Sequence, residues 1–460
     1  MNYNTLELQN PWWKGSMGDD FHLKELSRQT YIYDPKIIDV DSLFKQEKAI
    51  FTLIGPRQIG KTSYLKMLIK DIIGRINPLN IFYLSCENLN KEEFRQIFLS
   101  YLQDIAESGR KFIFLDEVSL VDGWEMVELE LFNKGFLNDS VVINSGSSSI
   151  NLKKSAERLP GRKGQGKTVY FLPLNFREFV FLVDKNAGEI AKKPLAYLNT
   201  LEKHFKDYLA ASGFPKIINE YFAGTLGDSS YDIYKDWIEG EISKSGKSVN
   251  YAYQIFSKII ENLTSQINWE SIVKNSTIKS HTTIADYVDM FDSLFITKVV
   301  NQISSDQKIR LAKNKKIYFF DHFIFSVIEK SFFKINNYSQ YYREKIKESE
   351  YLSKVVENLV FSNILKEIVK QGYNINDTLF FWRSKTQQEV DFIINVRDGT
   401  ERIVIPIEVK YRNKVQPLRI KTFTPFILSK DIYDLQKKTF PVPYFLFNIH
   451  NLIFTKPKDI

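Results

Sequence analysis

Cysteine is almost missing from this chain. Cys86 stands alone in 460 residues, so no disulfide framework or cysteine-rich metal site can exist, and a reducing cytoplasm is the expected location. Long apolar runs are missing too. None approaches the roughly 20 residues that span a bilayer, so no membrane partner is expected. The first residues, MNYNTLELQNPWWKG, lack the basic head and apolar core of a signal peptide. Internal repeats and low-complexity tracts are also lacking. What is present is an ordinary globular composition rich in Phe, Tyr, Ile and Lys. The length leaves room for roughly two to four domains. A formal charge of +8 and a pI near 9.0 lean towards a polyanionic partner such as nucleic acid, although a well-solvated surface explains them equally.

Two stretches spell the phosphate-loop pattern G-x-x-x-x-G-K-[ST]: GPRQIGKT (Gly55–Thr62) and GRKGQGKT (Gly161–Thr168). The pattern works when a strand delivers the loop and a helix starts at its Lys-Ser/Thr, so that backbone N–H groups face the phosphates. AIFTLI precedes the first, and SYLKMLIKDII follows it with Leu65, Leu68, Ile69 and Ile72 at helical spacing. The second follows KKSAERLP and leads into VYFLPL, a strand-like run containing Pro173. The first is therefore read as the nucleotide loop: Gly55, Pro56, Arg57, Gln58, Ile59, Gly60, Lys61, Thr62 and Ser63. The second is read as a coincidence in a basic loop.

About 50 residues further on, KFIFLDEVS is an apolar strand ending in two acids. In P-loop NTPases the first acid, here Asp116, holds Mg2+ with the loop hydroxyl of Thr62, and the second, Glu117, polarises a water. The strand-like runs IFYLSC, VVINSGSSS and VYFLPL alternate with helical ones, as in a parallel α/β sheet whose ligands lie beyond the strand carboxyl ends. Ser147 is the candidate γ-phosphate sensor. Arg158 or Arg162 is placed to reach a neighbouring subunit's phosphate.

In this order, NPWWKG, GPRQIGKT, FIFLDEV, NSGSSS, LPGR and FLPLNFREF resemble the archaeal AAA-superfamily ATPases that carry a C-terminal restriction-endonuclease-like domain. SGFPKIINEY and WIEGEISKSGK extend that resemblance along nearly the whole chain. It implies ATP and Mg2+ as cofactors, Lys61 on the β/γ-phosphates, Thr62 and Asp116 on Mg2+, and Glu117 as catalytic base. It also implies a homo-oligomer in which Arg162 acts in trans.

Residues 176–245 read as a helical lid. Residues 246–345 read as a winged helix-turn-helix, with helices at Tyr251–Leu263, after Asn268 and after Ser280, then a basic strand pair. Asn268 and Ser280 are the expected caps. Ile284, Tyr287, Val288, Phe291 and Leu294 share the third helix's core face. Lys279, His281, Thr282 and Thr283 would enter a DNA groove, with Lys308, Arg310, Lys313, Lys315 and Lys316 on phosphates. Asp286, Asp289 and Asp292 argue against DNA on that helix's flank, and a protein contact is the rival reading.

In residues 346–460 a helix bearing Glu357 precedes a hairpin bearing Glu389, Asp391 and Ile407-Glu408-Val409-Lys410. Glu408 and Lys410 share a strand face. If Asp398 and Gly399 form the turn, Asp391 pairs with Pro406 and lies diagonal to Glu408, about 7–8 Å away. The pattern resembles the PD-(D/E)xK nuclease core, which implies Asp391 and Glu408 on Mg2+, Lys410 on the water, and Glu357 as the added helical acid. The overall expectation is an α/β chain. Its ATPase core spans residues 1–175, and it acts on DNA and either cuts it or uses the nuclease-like domain as a platform. The rivals are a nucleotide switch and a transcription-regulatory ATPase.

Overall fold

The computed structural model describes residues 3–454 apart from 17, 19, 147–165, 275, 305–308, 385, 399–400 and 416–423. Met1–Leu172 and Pro173–Ile460 form two compact units.

The first unit is built on a parallel sheet of β1 (Ala49–Ile54), β2 (Ile81–Ser85), β3 (Lys111–Asp116), β4 (Ser140–Gly146) and β5 (Thr168–Tyr170), in the order β2-β3-β4-β1-β5. The run AIFTLI is buried at every position, as a strand covered on both faces requires. The helix Lys61–Ile72 buries Leu65, Leu68, Ile69 and Ile72. Thr168, the last residue of the second loop match, opens β5 and pairs with Thr52. A strand, not a helix, follows that match, so the helix start that a phosphate loop needs is lacking there.

β2 lies at the edge of this sheet, where unpaired backbone groups are a liability. The N-terminal segment covers them with side chains. The Asn10 amide acts like a neighbouring strand: its Nδ2 donates to the Tyr83 carbonyl (2.9 Å) and its Oδ1 accepts from the Tyr83 N–H (2.7 Å). Gln9 accepts from the Ser85 N–H at 2.8 Å. The indole N–H groups of Trp12 and Trp13 both donate to the Ile81 carbonyl at 2.9 Å. Lys66, on the helix Lys61–Ile72, pairs with Asp20 at 3.0 Å and lies 3.4 Å over the Tyr83 ring. The phrase NPWW is thus an edge cover tied to the phosphate-loop helix.

The second unit holds a mixed sheet of β6 (Thr297–Ile303), β7 (Ile309–Phe319), β8 (Leu379–Arg383), β9 (Glu389–Asp398), β10 (Glu401–Val409), β11 (Phe426–Ser429) and β12 (Thr439–Pro441). Its order is β12-β11-β10-β9-β8-β6-β7. The three expected helices form at Val249–Glu261, Trp269–Lys274 and His281–Ser293. Asn268 accepts from the Ser271 N–H at 2.8 Å, as a cap does. Ser280 makes no capping bond to the backbone. Ile284, Tyr287, Val288, Phe291 and Leu294 are all buried.

The strands read as a separate wing do not close a module of their own. Asn301–Ile303 of β6 pair with Phe380–Trp382 of β8, so β6 and β7 continue the sheet that carries the C-terminal acids. Family phrases with no evident chemistry turn out to be joints. Leu174 N–H donates to the Gly213 carbonyl (2.8 Å), uniting FLPLNFREF with SGFPKIINEY. Lys366 joins them to Asp321 (2.8 Å) and the Leu174 carbonyl (3.1 Å), and Ser212 donates to Asp321 (2.6 Å). These groups are buried and mutually satisfied, which makes them packing devices.

Candidate functional site

The loop Gly55–Thr62 runs from the end of β1 into the helix Lys61–Ile72. Only glycine fits at position 55, because a Cβ there would lie 2.1 Å from the Phe171 carbonyl oxygen. Gly60 turns the chain at φ +100°. Pro56 and Ile59 are buried and pin the loop, while Arg57 and Ser63 are half-buried and Gln58 is exposed. The helix closes its first bond from the Tyr64 N–H to the Gly60 carbonyl. The amides of Lys61, Thr62 and Ser63 therefore lack intrahelical acceptors, which is the setting that favours an anion. Lys61 is buried and folds back over the loop, donating to the carbonyls of Gly55 (3.1 Å) and Pro56 (3.0 Å).

Because β4 separates β1 from β3, the acids ending β3 face the loop with the end of β4 between them. Thr62 donates to Asp116 at 2.6 Å and Tyr83 donates to the same oxygen at 2.9 Å. Ser145, at the end of β4, donates to the other Asp116 oxygen and accepts from the Glu117 N–H at 3.2 Å. Glu117 sits at φ +50°, in the left-handed region, with its carboxylate 3.5 Å from the Lys61 ammonium. Burial and then the Asp116 charge push the Tyr83 hydroxyl well above its ordinary value. The Cys86 thiol is raised by burial and by Asp116 and Glu117, so it is an inert core group.

The Asp116 carboxylate is buried and takes only hydroxyl donors; among the described residues it makes no ion pair. A buried carboxylate held by hydroxyls, with no ammonium or guanidinium of the described residues in contact, fits a divalent cation bound beside Thr62. A cavity of about 420 Å3 lies along the helix Lys61–Ile72, lined by residues including Ile38, Tyr64 and Leu68. No residue of the loop 55–62 lines it.

Residues 47–180 match the family described as an AAA domain. The N-terminal unit carries an AAA-type P-loop ATPase domain. Beyond the AAA domain, residues 202–334 and 352–443 match two families each described as a domain of unknown function. An uncharacterised protein of Methanocaldococcus jannaschii is 25% identical over 392 residues, covering 80% of this chain and 77% of the relative. A second from that organism is 24% identical over 328 residues, covering 64% of this chain and 65% of the relative. Among solved structures, the Walker-type ATPase of Pyrococcus abyssi overlays with a TM-score of 0.42 at 15% identity, covering 63% of this chain and 94% of that one. The Aeropyrum pernix ORC1 protein in complex with DNA overlays with a TM-score of 0.31 at 12% identity, covering 71% and 98%.

Ser147, Arg158 and Arg162 lie outside the described residues. The sequence puts Ser145–Ser149 at a strand end beside the acid strand and singles out Ser147, whereas Ser145 is the serine the structure brings to Asp116, which the four serines of NSGSSS do not distinguish by pattern.

The C-terminal acids come together differently from the sequence expectation. Asp398 pairs with Glu401 and Phe392 with Ile407, so the register is two residues on from the one expected. Asp391 therefore falls opposite Glu408 rather than Pro406, still on the same face. The Asp391 N–H donates to Glu408 (3.3 Å) and the Val409 N–H to Asp391 (2.9 Å). Lys410 pairs with Glu408 at 2.5 Å. In the midst sits Lys316 of β7, 1% exposed, at 2.6 Å from Glu389, 3.0 Å from Asp391 and 3.4 Å from Glu357. Its burial corrects the expectation that Lys316 contacts DNA phosphates. Lys315 is half-exposed, 5.2 Å over the Trp269 ring.

Burial, then the Asp391 charge, raises the Glu357 carboxyl to about 8 and that of Glu408 to about 7. Burial works against the Lys316 ammonium, but Tyr318, Asp391, Glu357 and Glu389 outweigh it and hold the group charged well above its ordinary value. Among the described residues, no three His, Cys, Asp or Glu side chains are arranged to hold a metal ion.

Proposed function

We propose that this chain binds ATP with Mg2+ at the loop Gly55–Thr62, hydrolyses it, and couples that cycle to DNA. The convergence of Lys61, Thr62, Asp116 and Glu117 at the carboxyl ends of β1 and β3 carries the reading. Lys61 and the free amides of the helix start would bind the phosphates. Thr62 and Asp116 would hold Mg2+, which supplies charge neutralisation when bound. Glu117 would orient the attacking water and accept its proton. The Lys61–Glu117 contact suggests a simple gate: phosphate competing for the ammonium releases the carboxylate for that task.

For DNA, the helix His281–Ser293 offers its N-terminal end, where Lys279, His281 and Thr282 are exposed and Thr283 is half-buried. Asp286 and Asp289 are exposed further along, so only that end suits a phosphate backbone. The net charge of +8 agrees. A homo-oligomer with Arg158 or Arg162 acting in trans belongs to the same proposal. Whether the C-terminal sheet cuts DNA or only holds it turns on its acid cluster.

Steady-state ATPase assays with and without duplex DNA, alongside fluorescent-nucleotide titration, test the reading. Lys61→Ala is expected to lose nucleotide binding at least tenfold. Glu117→Gln should keep binding and lose turnover by about a hundredfold or more. A Glu117→Gln variant as active as the parent would remove the catalytic reading, and ATPase activity unaltered by DNA would favour the nucleotide switch.

A further inference from the structure

We propose that Lys316 permanently fills the cation position of the C-terminal acid cluster, so that this unit works without a divalent metal and does not cleave DNA. Asp391 and Glu408 are the pair a metal would bridge, and each of their four oxygens already accepts from a protein donor. For Asp391 these are the Lys316 ammonium at 3.0 Å and the Val409 N–H at 2.9 Å. For Glu408 they are the Lys410 ammonium at 2.5 Å and the Asp391 N–H at 3.3 Å. Two ammonium groups thus hold the acids that a metal would need.

Lys316 cannot easily yield its place. It is 1% exposed and comes from β7, not from the hairpin that carries the acids. Glu357 and Glu389 complete its shell, with Tyr318 donating to Glu357 at 2.7 Å and Gln266 donating to Glu389 at 2.8 Å. Displacing it would leave a buried ammonium without partners, or place a divalent ion beside a like charge in a low-dielectric pocket. A mobile surface lysine would face neither cost. The acids therefore do not fit Mg2+ as they stand. The extension of the sheet by β6 and β7 is what delivers the internal counter-ion.

The test uses the full-length chain without nucleotide, with Mn2+ as probe read by electron paramagnetic resonance, and plasmid nicking in Mg2+ or Mn2+. The parent is expected to show the same Mn2+ uptake and the same background nicking as Asp391→Asn and Glu408→Gln. Lys316→Met keeps the stem and removes the charge. It should gain Mn2+ binding by at least tenfold, and a second change of Glu408→Gln should abolish the gain. Mn2+ uptake or nicking by the parent that either acid variant removes would overturn the proposal. So would a folded Lys316→Met protein, with parental ATPase activity, that takes up no more Mn2+ than the parent. If Lys316→Met does not fold, the comparison of the parent with the two acid variants decides alone.

Discussion

Asp116 shows how much a single carboxylate can organise. Three hydroxyls, from Thr62, Tyr83 and Ser145, converge on its two oxygens and reach it from a helix, from β2 and from β4. Hydrogen bonds to a buried charge are worth more than neutral ones, and leaving such a charge short of a donor is costly. Tyr83→Phe keeps the ring that lies against Lys66 and deletes one donor. It is expected to destabilise the protein by about 2 kcal/mol. Urea titration followed by tryptophan fluorescence would check this, and an unchanged midpoint would show that the bond contributes little. Asp116 and Glu117 were legible in the sequence because two acids end an apolar strand downstream of a good loop. Tyr83 was not, since a tyrosine in a buried strand carries no mark of where its hydroxyl points.

At the scale of elements, the N-terminal segment and the β6–β7 pair do the unexpected work. An edge strand needs its outward N–H and C=O groups covered, and Gln9, Asn10, Trp12 and Trp13 do so for β2 without forming a strand. Asn10→Ala would uncover both backbone groups of Tyr83. Amide hydrogen exchange is expected to speed up in Ile81–Ser85 while Ser140–Gly146, flanked by β1 and β3, stays protected. Equal acceleration in both strands would point to global destabilisation instead. The β6–β7 pair looked like a wing because two strands with a basic turn after three helices fit that pattern locally. Which sheet they join depends on a pairing between Asn301–Ile303 and residues about 80 positions later, which local pattern does not encode.

For the whole molecule, pH is the practical lever on the C-terminal cluster. Glu357 has its carboxyl raised from 4.5 to about 8, first by burial and then by Asp391. Between those values the folded chain holds a proton that the unfolded chain has released. Stability therefore falls as pH rises through that window and levels off above it. Glu408, raised to about 7, adds to the same slope over a narrower range. Glu357→Gln cannot release the proton. Its melting temperature should drop less between pH 5 and pH 8.5 than the parent's, as differential scanning fluorimetry can measure. A drop of the same size would mean that Glu357 is already ionised across that range in the folded protein. No helix among the described residues is long and apolar enough to cross a membrane.

The sequence alone determined what is local and periodic. The buried strand AIFTLI, the Gly-rich turn at Gly55–Thr62, the amphipathic helix after it and the acid pair at Asp116 and Glu117 could each be read from neighbouring residues, because backbone sterics and burial act within a few positions. Tertiary structure decided what depends on long-range pairing. It brought Ser145 and Tyr83 to Asp116 and set the hairpin register two residues on. It also carried Lys316 into the carboxylates of Glu357, Glu389 and Asp391. A lysine in a basic strand reads as a surface cation until the sheet closes around it, and only the closed sheet shows which charges it must balance.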